Sequence, residues 1–228
     1  MYTINNVIHF LYKQKLIYKC NMIYISFDIG VKNLAYCILK EKDETINIID
    51  WGIITLAESK KQIKGVDKLS SVLFLELDNL IGKLETLEIT YIDYVVIENQ
   101  PSNLNGIMKT IQYLIYSYFK LLEHWDQKVK EVILINPSLK LQFHEYKPSS
   151  SLIVGKLTKQ EKYKYNKSDS IEICQNYIKN DEKLHSFFQS YKKKDDLADT
   201  CLQVISFILK NQRKVTNVVA NETTFFDN

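Results

Sequence analysis

Five acids in this chain sit where carboxylates can do more than carry charge. Asp28 closes the apolar run from Ile23 and is followed by Ile29-Gly30. Glu98 closes a second run from Tyr91 and is followed by Asn99-Gln100-Pro101. The third contribution is Asp195-Asp196-Leu197-Ala198-Asp199. Open α/β sheets build their sites just beyond strand ends, so Asp28 and Glu98 can converge at one sheet edge. Carboxylates buried together repel and drift toward neutral forms. A hard divalent cation removes that penalty, and an all-oxygen donor set suits magnesium, with manganese able to substitute. On a helix, Asp196 and Asp199 share a face at i and i+3, and Asp195 and Asp199 share one at i and i+4. Spacing leaves both pairs open. Two cations held this way bind the attacking and leaving oxygens of a phosphodiester. Plainer readings exist: Asp28 as a turn residue before Gly30, and Asp195 and Asp196 as acids opposing a helix dipole. Those readings do not account for two acids closing two buried strands.

The elements that must position these acids are read from periodicity. Ile23 to Asp28, Leu34 to Lys40 and Thr45 to Thr55 read as three strands, the last two joined through Lys42-Asp43 as a hairpin. Leu69 to Leu87 is apolar at helical spacing through Leu69, Val72, Leu73, Leu75, Leu80 and Leu84. Tyr91 to Glu98 is a fourth strand, 105–125 a long aromatic-rich helix, and Glu131 to Ile135 a fifth strand closed by Asn136-Pro137. The pattern then lapses over 138–168. A helix restarts near Ser170 with Ile171, Cys174 and Ile178 on one face, and 181–194 reads as polar connection. A last helix over 195–210 presents Leu197, Cys201, Val204 and Ile208. The expectation is an α/β fold: a five-stranded mixed sheet, a three-strand antiparallel meander plus two parallel strands, flanked by helices. Residues 1–21 read as an extension, 22–213 as one domain, and 214–228 as a tail without fixed structure.

Composition limits the rest. At 228 residues with a net charge of +3, the chain is no polycation, so any nucleic-acid contact must be local. Arg213 is the only arginine among 30 basic residues. That bias, with many Ile, Asn and Tyr, fits codon drift in an AT-rich genome, so lysine abundance alone means little. Cys20, Cys37, Cys174 and Cys201 lie far apart with no C-x-x-C, which reads as free thiols in a reducing, intracellular compartment. No apolar run reaches the length of a membrane span.

The segment from Ile23 to Ala35, with its Asp28-Ile29-Gly30-Val31-Lys32-Asn33 turn, resembles the opening of RuvC-type Holliday junction resolvases. It looks closest to their poxvirus and fungal mitochondrial branch. Glu98-Asn99-Gln100-Pro101 resembles that branch's second motif, and Asp195-Asp196-Leu197-Ala198-Asp199 its last. The resemblance covers roughly residues 22 to 211. It implies an RNase H-like fold, a homodimer, magnesium and paired symmetric nicks in four-way junction DNA during recombination or resolution of replicated viral DNA. It selects Asp28, Glu98, Asp196 and Asp199 as metal ligands and catalytic residues over Asp195. It also suggests Lys167, with Lys164 as a neighbour, for a basic residue near the scissile phosphate. It points to the cytoplasm of a virus-infected cell, the mitochondrial matrix being the alternative.

DNA grip would then be electrostatic, through Lys32, Lys164, Lys193, Lys194 and the other lysines of 140–167, contacting phosphates without reading bases. Tyr146, Tyr163 and Tyr165 are candidates to stack on splayed bases, and the helix bearing Tyr113, Tyr116 and Phe119 is a candidate dimer face. A non-catalytic DNA-binding relative is a further reading, against which the intact acids argue, and two others stay open. One is a different RNase H-like nuclease acting on RNA–DNA hybrids or flaps. The other is an ATP-binding protein of the actin and sugar-kinase type, which needs glycine-rich phosphate loops that the six glycines here do not form.

Overall fold

The computed structural model describes residues 21–43, 45–58, 62–63, 65–101, 106–152 and 157–223. Apart from Asn21, the extension read over 1–21 lies outside them, as do residues 224–228. Strands β1 (Met22–Asp28), β2 (Leu34–Lys42), β3 (Thr45–Ile54), β4 (Ile92–Glu98) and β5 (Val129–Ile135) form one sheet in the order β3-β2-β1-β4-β5. β1, β2 and β3 are the antiparallel meander, and β4 and β5 run parallel to β1. The sheet therefore has the mixed plan expected from the sequence. In the hairpin Lys42 pairs with Thr45, and Asp43 takes the turn at φ 48°.

Two apolar layers cover the sheet. On one face lie α1 (Val66–Thr86) and α2 (Gly106–Leu121). α1 buries Leu69, Leu73, Leu77, Leu80 and Leu84. Val72 and Leu75, read as core from their spacing, point to solvent, and Leu77 takes the inner position. α2 continues into a π-helical turn, Leu122–Asp126, and β5 begins at Val129, two residues before its expected start. On the other face lie α3 (Lys159–Ile178), α4 (Glu182–Ser190) and α5 (Lys194–Thr223). Leu197, Cys201, Val204 and Ile208 of α5 are all buried, as their stripe predicts.

Three stretches differ from the sequence reading. α3 starts at Lys159, eleven residues before the expected restart, because Thr158 and Glu161 form a reciprocal capping box. Residues 181–194, read as connection, contain α4. Asp181 caps it, and Phe188 is buried against the Trp51 ring at 5.3 Å. α5 runs on to Thr223, past Arg213, where the apolar pattern stops, so its backbone is helical over much of the presumed tail. Cys37, Cys174 and Cys201 are free and buried, as expected. Among the described residues no helix is long and apolar enough to cross a membrane.

Candidate functional site

β1 delivers Asp28 to the sheet edge because the five residues before it are buried and locked between β2 and β4. The chain then turns back sharply into β2. A Cβ on Gly30 would lie 2.1 Å from the Asn33 carbonyl oxygen, so only glycine permits this turn. The turn is tied to the end of β3. The Val31 carbonyl accepts from the Leu56 and Ala57 amides, and the Lys32 carbonyl from the Thr55 hydroxyl.

β4 delivers Glu98 beside it, since Phe27 pairs with Ile97 across parallel strands. Gln100 Nε2 donates to Glu98 Oε1 at 3.2 Å. The Gln100 amide in turn donates to Gln112 Oε1 at 2.7 Å, and Lys109 donates to Asn99 Oδ1 and to the Gln100 carbonyl. Gln112 is fully buried on α2. Its role was readable in principle: a glutamine stands on the same helix face as Ile111, Ile115 and Phe119.

α5 delivers the remaining acids, each to a different partner. Asp195 is bonded by Lys167 of α3. Asp196 accepts from Asn33 Nδ2 at 2.7 Å. Asp199 is bonded by Lys140, which lies on the 3-10 turn Pro137–Leu141 just after β5. One helical turn further on, Gln203 is buried and its Nε2 donates to Ser26 Oγ, the Phe27 carbonyl and the Val96 carbonyl at 3.0–3.2 Å. This amide fixes the level of α5 against the two strands that end in Asp28 and Glu98.

Asp28, Glu98 and Asp199 therefore meet around Lys140. Burial, then repulsion from Glu98 and Asp199, pushes the Asp28 carboxyl well above its usual range, and a hydrogen bond with Glu98 adds to this. Burial opposes the charge on Lys140, but Asp199, Glu98 and Asp28 outweigh it and keep the ammonium firmly protonated. Its Nζ lies 3.7 Å from Glu98 Oε2. Glu98 Oε2 and Asp199 Oδ1 are buried and accept no hydrogen bond. Two unsatisfied carboxylate oxygens beside a third acid form a donor set suited to a hard divalent cation. Among the described residues, however, no three acid, histidine or cysteine side chains are already arranged to hold a metal ion. Asp196 stands apart with Asn33. Burial and then Asp195 raise its pKa, while Asn33, Lys193 and Lys167 lower it.

The basic residues separate in the same way. Lys167, expected beside the reacting phosphate, pairs with Asp195, and its ammonium sits 5.1 Å from the Tyr163 ring centroid. Lys140, which the sequence reading included only among the many lysines of 140–167, is the cation inside the acid cluster. Lys164 and Lys193 are exposed, Lys32 pairs with Glu58 at the surface, and Lys194 donates to the Tyr191 carbonyl. Of the three tyrosines expected to stack on bases, Tyr163 is exposed, Tyr165 is partly buried, and Tyr146 donates to Glu172 at 2.6 Å. Phe119 of the supposed dimer face is wholly in the core, whereas Tyr113 is exposed.

Residues 22–211 match the family model described as Poxvirus A22 protein. The crystal structure of the fowlpox virus Holliday junction resolvase superposes with a TM-score of 0.53 at 21% identity, covering 83% of this chain and 99% of that one. RuvC of T. thermophilus, in complex with a Holliday junction substrate, superposes with a TM-score of 0.50 at 8% identity, covering 82% and 94%. These likenesses show the RNase H-like fold of the resolvases. An uncharacterized protein of Acanthamoeba polyphaga mimivirus is 34% identical over 135 residues, 55% of this chain but only 32% of that protein. The chain thus matches about a third of the length of that relative.

Proposed function

Because the chain belongs to the Poxvirus A22 protein family, we propose that it is a Holliday junction resolvase, an endonuclease that makes paired nicks in four-way DNA junctions with magnesium as its cofactor. The observation that carries this reading is the convergence of Asp28, Glu98 and Asp199 from β1, β4 and α5, with two buried carboxylate oxygens left without partners. Asp28, Glu98 and Asp199 would hold the cation, with Asp196 completing the set from the same helix face. Divalent cations bound there would supply a lowered pKa for an attacking water and positive charge for the departing 3′ oxygen.

The chain's own residues do the rest. Gln100 orients Glu98 through one oxygen and leaves the other free. Lys140 keeps a positive charge among the acids, where it can offset charge building on the phosphate. Lys164, Lys193 and Lys32 are exposed charges suited to holding the DNA backbone, and none reads sequence. Junction choice would follow from shape, through two such sites in a C2 homodimer. Tyr113, Leu121 and Trp125 are exposed along α2 and its π-helical end and are candidates for that contact.

The test is a panel of labelled substrates incubated with magnesium: four-way junction, flap, RNA–DNA hybrid and plain duplex. Paired, symmetric cuts confined to the junction support the proposal. Preferential cutting of the hybrid or flap would replace it with another RNase H-like nuclease.

A further inference from the structure

We propose that Asn33 is the positioning residue for Asp196: it fixes the carboxylate's direction while leaving its charge and its second oxygen available to a cation. The proposal rests on the metal-dependent reading above.

The three acids at the start of α5 differ in what holds them. Asp195 and Asp199 each face a lysine ammonium, from Lys167 and Lys140. Asp196 faces a neutral amide, with Asn33 Nδ2 donating to Oδ2 at 2.7 Å across 163 residues of sequence. An ammonium offsets part of a carboxylate's charge and competes with a cation for it. An amide orients the group and leaves its charge intact. Carboxylates that bind metal are commonly held in this way by outer hydrogen bonds, whose loss weakens binding.

The donor is itself held firmly. Gly30 lets the Asn33 carbonyl approach the turn, and Leu34, the next residue, is wholly buried at the start of β2. The end of β3 fixes the carbonyls of Val31 and Lys32. Asn33 therefore projects from a backbone secured on both sides. It also follows Asp28 by only five residues. One turn thus carries a proposed ligand from β1 and aims a second one that belongs to α5. A shift of the turn would move both acids together.

The experiment measures Mn2+ binding to the full chain without DNA, by the electron paramagnetic resonance signal of the free ion. Parent, Asn33→Ala, Asp28→Asn, Asp196→Asn and the double variant Asn33→Ala/Asp196→Asn are compared. Asn33→Ala should weaken Mn2+ binding about 10–100-fold. Its junction affinity in EDTA should match the parent's, and its cleavage should recover as Mn2+ is raised. In the Asp196→Asn background, adding Asn33→Ala should change Mn2+ binding no further. If the alanine variant folds poorly, Asn33→Ser keeps the turn preference with a hydroxyl too short to reach Asp196, and the same shift is expected. Unchanged Mn2+ binding in a folded Asn33 variant, or an equal loss with and without Asp196, overturns the proposal and leaves the metal site standing. Unchanged Mn2+ binding in both Asp28→Asn and Asp196→Asn overturns the metal site, and the role of Asn33 with it.

Discussion

Lys140 places one ammonium between carboxylates from two different elements: it is bonded to Asp199 on α5 and lies 3.7 Å from Glu98 Oε2 on β4. Three acids crowd this point, and Lys140 is the positive charge among them. Lys140→Met should cut the rate of junction cleavage by about 10²–10³-fold, as for loss of a group that stabilises developing charge. Junction affinity should hold. The variant should also melt at a lower temperature in EDTA, because the acids lose their counter-charge. Single-turnover cleavage with calorimetry checks both; a normal rate removes Lys140 from the reaction.

Lys167 supplies the contrast. Its contact is with Asp195, its side chain is 42% exposed, and pairs so exposed contribute about 0–1 kcal/mol. Lys167→Ala and Asp195→Asn should each leave far more activity than Lys140→Met or Asp196→Asn. Side-by-side cleavage rates decide the order, and a reversal would mean that the start of α5 turns its other face to the substrate.

The sequence made some of this site readable and hid the rest for physical reasons. Asp28 and Glu98 were legible because each ends a short, mostly apolar run of strand character, a pattern set by local geometry. The stripe of Leu197, Cys201, Val204 and Ile208 fixed the inner face of α5 in the same way. Which lysine stands among Asp28, Glu98 and Asp199 was not legible. Lys140 and Lys167 both lie in a lysine-rich stretch where residue type is uniform, and only contacts spanning 59 and 28 residues tell them apart. α4 was missed because two adjacent aromatics, Phe187 and Phe188, anchor it against Trp51 from a strand more than a hundred residues earlier. Asn33 was visible as part of a motif, but its partner was not.

Asp28 and Glu98 yield a paired expectation. Asp28→Asn and Glu98→Gln should abolish cleavage and preserve junction binding, since carboxylates would hold the cation while lysines hold phosphate. Asp28→Asn should also raise the melting temperature in EDTA at neutral pH, because it removes a carboxylate that burial and its neighbours disfavour. For a chain of this size each kcal/mol corresponds to about 2–4 °C. Full cleavage by either variant would eliminate the proposed site.

His144 gives a pH dependence whose sign follows from burial. The imidazole is buried between the Lys140 carbonyl, Ser206 and Tyr177, and burial lowers its pKa from the usual 6.5. The folded state holds the neutral ring, so this stability is present above pH 6.5 and is lost as pH falls through the lowered value. The limiting slope for one proton is about 1.4 kcal/mol per pH unit. Urea titrations at pH 7.5 and 5.5 should show the parent losing more stability than His144→Gln over that interval. Equal losses would mean that the ring takes up its proton in the folded protein as readily as in the unfolded chain.

Gln203 has a consequence for inheritance as well as for structure. Its single NH2 serves three acceptors on β1 and β4, so α5 behaves like a peg seated at one depth. A slide of one residue moves a helix about 1.5 Å along its axis, enough to break all three bonds. Substitutions that never touch an acid, but unseat this peg, should therefore score as inactive in a genetic screen while the folded protein still accumulates in cells.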